Sequence, residues 1–212
     1  MSSRAASIKH GYTTGARSLA SRSVIGLART RITPNALTAS GVLLCGAASV
    51  LVLFADRNRI LFFWLAAVVF VAGSLLDILD GALARAGGKT TPFGAFLDST
   101  TDRISEGFVL TAIAYLLARH HHPVFVAVAM AAVAGSFLVS YTRARAESIG
   151  LRGDVGIGSR AERVVVITAG LVLAPWGVLP WALVLLACTA WMTVGQRVLH
   201  VRKQLMGEIN RE

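Results

Sequence analysis

Four carboxylates carry the chemistry in this 212-residue chain: Asp77 and Asp80 in one long apolar stretch, Asp98 and Asp102 in the next. At the centre of an isolated membrane helix each would cost roughly 3 kcal/mol, so four together call for a compensating charge. Asp77 and Asp80 are spaced i, i+3 and Asp98 and Asp102 i, i+4, which puts each pair on one face of its own helix. The connection Arg85 to Thr91 is short, so the two helices should be antiparallel neighbours with their acids at similar depth. Carboxylates converging in low dielectric repel one another unless a cation neutralises them. A donor set made only of oxygens points to Mg²⁺ or Mn²⁺, one or two ions, because soft Cys or His ligands are absent from it. Gly81 removes a side chain where a ligand can approach the backbone, and Arg85 offers a planar fork suited to phosphate oxygens. Metals beside an arginine imply phosphoryl-type chemistry. A purely structural salt-bridge cluster would set these four acids against Arg85 and Arg103 and leave charge unmatched.

The elements that must hold these groups belong in a bilayer. The chain is 55% hydrophobic and 15% charged, against about 25% charged residues in a typical soluble domain, and its mean hydropathy is +0.64. Disordered, collagen-like and disulfide-framework classes are excluded by the apolar content, the aperiodic glycines and the presence of two cysteines only. Cys45 and Cys188 lie in apolar runs and read as small buried hydrophobes. Stretches long enough for about 30 Å of hydrocarbon are Pro34 to Ala55, Ile60 to Ala84, Pro92 to Ala118, Pro123 to Ala146, Arg163 to Pro175 and Val178 to Val201. The fold expected is an all-α integral membrane protein with six transmembrane helices, the fifth short or tilted.

Lys and Arg set the orientation. With an inside N-terminus, all but Arg57, Arg59 and Arg119 of the 21 basic residues fall at or near the inner face. Both termini and the loops Arg85 to Thr91 and Glu147 to Glu162 are then cytoplasmic. The net charge of +10 follows from this bias, and no nucleic-acid partner is expected. Met1 to Arg31 holds six basic residues and no apolar core with a cleavage site, so it does not read as a secretory signal. Within it, Thr14 to Arg31 has apolar residues at near-helical spacing with Arg17, Arg22 and Arg29 between them. That pattern suits an N-terminal amphipathic helix on the inner leaflet. The divisions expected are a juxtamembrane segment 1–33, a six-helix unit 34–203 and a tail 204–212.

Written as DxxDGxxAR, eight residues, then GxxxDxxxD, Asp77 to Asp102 resembles the signature of the CDP-alcohol phosphatidyltransferases, with every motif position matched. The six spans and basic leader also look like that family's architecture. The resemblance implies attack by an alcohol on the β-phosphorus of a CDP-linked lipid, with CMP leaving. Asp77, Asp80 and Asp98 would hold the metals. Asp102 would join them and accept the proton of the attacking hydroxyl. The same resemblance places Asn35, Ala36, Leu37, Thr38, Gly81, Arg85 and Thr91 around the CDP-diacylglycerol headgroup, and implies a homodimer. Small residues Ala131, Ala132, Gly135 and Ser136 permit such close packing.

The acceptor is read from the inner-face arginines. Arg143 and Arg145 end the fourth helix, Arg160 and Arg163 begin the fifth, and Arg197 lies near the inner end of the sixth. A neutral acceptor would not need such a cluster. Ser140 to Glu147, Gly150 to Asp154 and Ser159 to Arg163 resemble the actinobacterial phosphatidylinositol phosphate synthases. That likeness implies inositol 1-phosphate as acceptor, its phosphate held by Arg143, Arg160 and Arg197. Arg143 stands where those enzymes commonly have Lys, and Ser159 where Glu is frequent. Glycerol 3-phosphate is the alternative acceptor, and a divalent-cation transporter the alternative class. The transporter predicts polar residues continuing to the outer face, where Ile60 to Ala72 has no charge and Leu110 to Leu117 has only Thr111 and Tyr115. His120, His121 and His122 read as an outer loop away from the acids. Glu106, one turn past Asp102, reads as an acid paired with Arg103 or another inner polar group. Trp176 and Trp181 suit the outer interfacial belt.

Overall fold

The computed structural model describes residues 34–86, 88 and 90–209. The expected interfacial helix Thr14 to Arg31 lies outside the described residues. Among those residues six α-helices follow one another: α1 (Pro34–Leu53), α2 (Arg59–Ala86), α3 (Pro92–Arg119), α4 (Pro123–Ser148), α5 (Arg160–Val172) and α6 (Leu179–Ile209). A 3₁₀ turn, Ala174–Trp176, joins the last two.

Local chemistry explains the helix starts. Pro92 opens α3 in the first turn, where its missing N–H costs nothing. Thr91 caps that helix in extended conformation, its Oγ1 accepting from Gly94 N at 3.0 Å. Pro123 opens α4 in the same way. At α5, Ser159 and Glu162 cap each other: Ser159 N donates to Glu162 Oε2 at 2.7 Å, and Glu162 N to Ser159 Oγ at 3.4 Å. Gly177 takes the left-handed turn (φ 80°) before α6.

The chain is a helical membrane protein. By length and composition α1, α2, α4 and α6 can cross a bilayer. The third helix spans 28 residues, about 42 Å at 1.5 Å per residue, but it carries Asp98, Asp102, Arg103 and Glu106. The fifth has 13 residues, about 20 Å by the same rise, so it is the short one of the set. α6 runs unbroken past residue 203.

Packing corrects three expectations. α2 and α3 scarcely meet; α1 lies against both and separates them. The cause is a close crossing of α1 and α2 at glycines: a Cβ on Gly73 would sit 2.8 Å from Gly41 O and 2.9 Å from Cys45 Sγ. Short loops guarantee proximity but not contact. Secondly, the small residues of α4 face inward. A Cβ on Gly135 would lie 2.9 Å from the Ala190 Cβ, and Trp191 Nε1 donates to Ala131 O at 3.0 Å. Ala132, Gly135 and Ser136 are buried within the chain itself, so they serve the α4–α6 contact and give no support to a dimer. Thirdly, Cys45 is buried but Cys188 is exposed on the outside of α6.

The bundle is divided lengthwise. Phe70, Leu110, Ile113, Leu171 and Leu183 are fully buried and belong to one apolar core. On α2 and α3 that core fills the half of each helix away from the acids, which leaves the other half to polar residues.

Candidate active site

The acids of α2 and α3 converge although their helices do not pack. One carboxylate oxygen from each of Asp77, Asp98 and Asp102 lies within 4.8 Å of the others. Asp80 stands outside that trio. Thr38, on α1, donates its hydroxyl to Asp80 Oδ2. Asp77 and Asp80 are buried, and Asp98 and Asp102 are partly so.

A single guanidinium from far along the chain enters the cluster. Arg160 pairs with Asp77, 83 residues away, and its Nη2 lies 2.7 Å from Asp102 Oδ1. The two cations nearer in sequence do not do this. Arg103 donates to Ser99 O on its own helix, and Arg85 makes no ion pair among the described residues. Arg85 instead lies along the Gly81 surface, where an added Cβ would come within 3.3 Å of its Nη1.

One arginine against four carboxylates leaves the cluster negative. Asp80 Oδ1 is buried without a hydrogen bond, and Asp102 Oδ1 receives none despite the nearby Arg160. Buried carboxylate oxygens without donors are costly. Hard anionic oxygens this close together fit Mg²⁺ or Mn²⁺. Asp77, Asp98 and Asp102 are the groups brought together closely enough to hold such an ion, whereas Asp80, expected as a fourth ligand, is taken up by Thr38 beside them.

Two polar cavities meet at these acids. One, of about 340 Å³, is lined by Asn35, Thr38, Asp80, Gly81, Arg85 and Thr91, among others. Leu37 does not reach it; it is buried against Leu83. Ala36, exposed at the start of α1, does not line it either. The second cavity, of about 650 Å³, gathers Asp102, Arg143, Arg160, Arg163 and Arg197. Asp98 borders both.

The arginines of the second cavity differ in freedom. Arg143 is exposed and pairs with Glu147 at 2.8 Å. Arg197 is buried, its Nε donating to Val155 O at 2.9 Å and its Nη1 to Val139 O. Arg163 is held by Glu106, Nε to Oε1 at 2.8 Å and Nη2 to Oε2 at 3.0 Å. Glu106 therefore pairs with an arginine 57 residues on, not with Arg103. Glu147 and Asp154 also line this cavity, and nothing in their local spacing marked them.

Beyond Glu106 the buried face of α3 turns apolar: Val109, Leu110, Ile113, Leu116 and Leu117. An ion path would have to cross that layer. At the opposite ends of the helices, His120 Nε2 meets Asp56 Oδ1 at 2.7 Å and Arg119, the last residue of α3, meets Asp56 Oδ2 at 2.9 Å, all of them exposed. Trp181 packs edge-on against Phe125 there, and Trp176 is exposed.

Comparison with known proteins gives the family. Residues 31–196 match the family model for CDP-alcohol phosphatidyltransferase. The chain belongs to that family. It is 39% identical to the archaetidylinositol phosphate synthase of Pyrococcus horikoshii over 181 residues, 84% of this chain and 88% of that enzyme. The crystal structure of Mycobacterium tuberculosis phosphatidylinositol phosphate synthase with CDP-DAG bound matches with a TM-score of 0.76 and 31% identity. The match covers 86% of this chain and 92% of that one. The same enzyme in complex with manganese and citrate matches with a TM-score of 0.76 and 32% identity, over 86% and 88% of the two chains. Membership makes the chain a membrane transferase.

Proposed function

We propose that the protein transfers the phosphatidyl group of CDP-diacylglycerol to inositol 1-phosphate, giving phosphatidylinositol phosphate and CMP. The observation that carries this is the pair of cavities sharing Asp98, one lined by Asn35, Thr38, Gly81, Arg85 and Thr91 and the other rich in arginine. Relatives named archaetidylinositol and phosphatidylinositol phosphate synthase support the acceptor.

In this scheme Asn35, Thr38, Gly81, Arg85 and Thr91 surround the donor headgroup, with Ala36 and Leu37 behind them. Arg143, Arg160 and Arg197 hold the acceptor phosphate, so that the sugar hydroxyl faces the donor across Asp98. Asp102 takes the hydroxyl proton as the new O–P bond forms, and the bond from the β-phosphorus to CMP breaks. A divalent ion on the aspartates would supply charge stabilisation for the phosphates and for departing CMP. Thr38 keeps Asp80 in place from α1.

The working unit is residues 34–203 as six membrane helices, including the charged α3 and the short α5, with segment 1–33 preceding them. Both termini and the two cavities face the cytoplasm of a bacterial inner membrane, as the basic residues favour, and the enzyme works as a homodimer.

The test is CMP release by purified protein given CDP-diacylglycerol, Mg²⁺ and one acceptor at a time. Inositol 1-phosphate should support release, and glycerol 3-phosphate and free inositol should not. Preference for glycerol 3-phosphate would reassign the acceptor and keep the chemistry. Mg²⁺ flux into liposomes without CMP release would overturn the transferase.

A further inference from the structure

Two rungs connect α3 to α5. Asp102 and Glu106 are one turn apart on α3, and Arg160 and Arg163 are one turn apart on α5. The backbones of these helices do not pack on each other; α5 rests on α2 and α6. Side chains therefore make the direct link, Arg160 to Asp102 and Arg163 to Glu106.

The rungs differ in how complete they are. Glu106 and Arg163 are both buried, and both oxygens of Glu106 are taken by the guanidinium. The third nitrogen of Arg163 donates to Gly158 O at 2.9 Å. Three of the five N–H groups of Arg163 are thus taken up inside the protein, and the side chain is buried. Arg160 is more open, its side chain 30% exposed on the arginine-rich cavity.

Gly158 ties the pair to α6. Its N–H donates to Thr193 Oγ1 at 2.9 Å, and a Cβ there would fall 2.8 Å from the same oxygen. Arg163 therefore fastens together the segment entering α5, the start of that helix and α3. A buried ion pair is poor evidence for stability, since apolar residues of similar volume often fill such a site equally well. What an apolar pair could not do is grip the Gly158 carbonyl and fix the turn that carries Arg160.

We propose that Glu106 and Arg163 are a positioning pair that sets Arg160 over the acid cluster and so governs use of the acceptor phosphate. This rests on the transferase reading above. Neither residue touches the reacting groups.

The experiment compares wild type, Glu106→Gln and the double variant Glu106→Leu/Arg163→Met in detergent, measuring thermal stability and KM for each substrate by CMP release. Glu106→Gln should raise the acceptor KM about tenfold or more and leave the donor KM within about twofold, as loss of one charge-assisted contact implies. In the double variant, stability should return close to wild type while the acceptor KM stays raised. If Glu106→Gln gives no folded protein, Glu106→Asp carries the same expectation. An acceptor KM at the wild-type value in any folded variant overturns the proposal, and so do both KM values rising together. A wild type that releases no CMP with any phosphorylated acceptor overturns the transferase reading itself, so the two failures are distinct.

Discussion

Arg160 Nη2 stands 2.7 Å from the Asp102 carboxylate, and the same guanidinium pairs with Asp77. One side chain from α5 thereby joins acids from two helices that scarcely touch. It places the cation of the acceptor cavity beside the carboxylates that would hold a metal. In the proposed scheme metal and acceptor are then linked through one residue.

Removing Arg160 takes a positive charge from the acids, so Arg160→Ala should bind Mn²⁺ about tenfold more tightly, which is a modest Coulombic effect for a partly screened charge. Its acceptor KM should rise. Titration followed by the Mn²⁺ paramagnetic resonance signal reads the first effect without any turnover. Weaker Mn²⁺ binding would show that Arg160 builds the site instead of opposing the ion.

Neutralising an acid should do the reverse. Asp77→Asn and Asp98→Asn each remove an anionic oxygen from the close group of three, and each should lose Mn²⁺ binding and lower CMP release about a thousandfold. A folded Asp98→Asn protein that kept both would separate this residue from the metal.

Thr38→Val deletes the hydroxyl that Asp80 accepts from and leaves a buried carboxylate oxygen without its donor. The expected loss is about 1–3 kcal/mol at the donor cavity. It should appear as a raised KM for CDP-diacylglycerol with the acceptor KM unchanged. Steady-state kinetics with each substrate varied in turn decides it.

Gly73→Val tests the scaffold. The α1–α2 crossing leaves no room for a side chain, with Gly41 O and Cys45 Sγ both under 3 Å from the added carbon. The variant should lose about 2 kcal/mol or more of stability from overpacking and melt earlier by detergent-based calorimetry. Gly195→Ala, on α6 with nothing near the added Cβ, should melt like wild type.

Much of this was legible in the chain because the acids and their glycines sit within 26 consecutive residues on two adjacent helices. Pro92 and Pro123 stand at two helix starts that the apolar stretches also gave, while the Ser159–Glu162 box, which opens α5 at Arg160 ahead of the expected stretch from Arg163, was not read from the sequence. Tertiary relations were not announced. No spacing rule connects Arg160 to Asp77 or Arg163 to Glu106, and a hydropathy pattern does not say that α1 lies between α2 and α3. The inward face of Gly135 was hidden for a related reason: in lipid, small residues mark a helix contact but not whether the partner lies in the same chain.

The most direct measurement follows both products of one reaction. Purified protein is supplied with CDP-diacylglycerol, Mg²⁺ and inositol 1-phosphate carrying a radiolabel in the inositol ring. Label should pass into the lipid phase mole for mole with CMP, and both should stop on chelation of the metal. CMP formed without labelled lipid would mean hydrolysis of the donor, and labelled lipid formed in the presence of chelator would contradict a metal held by the aspartates.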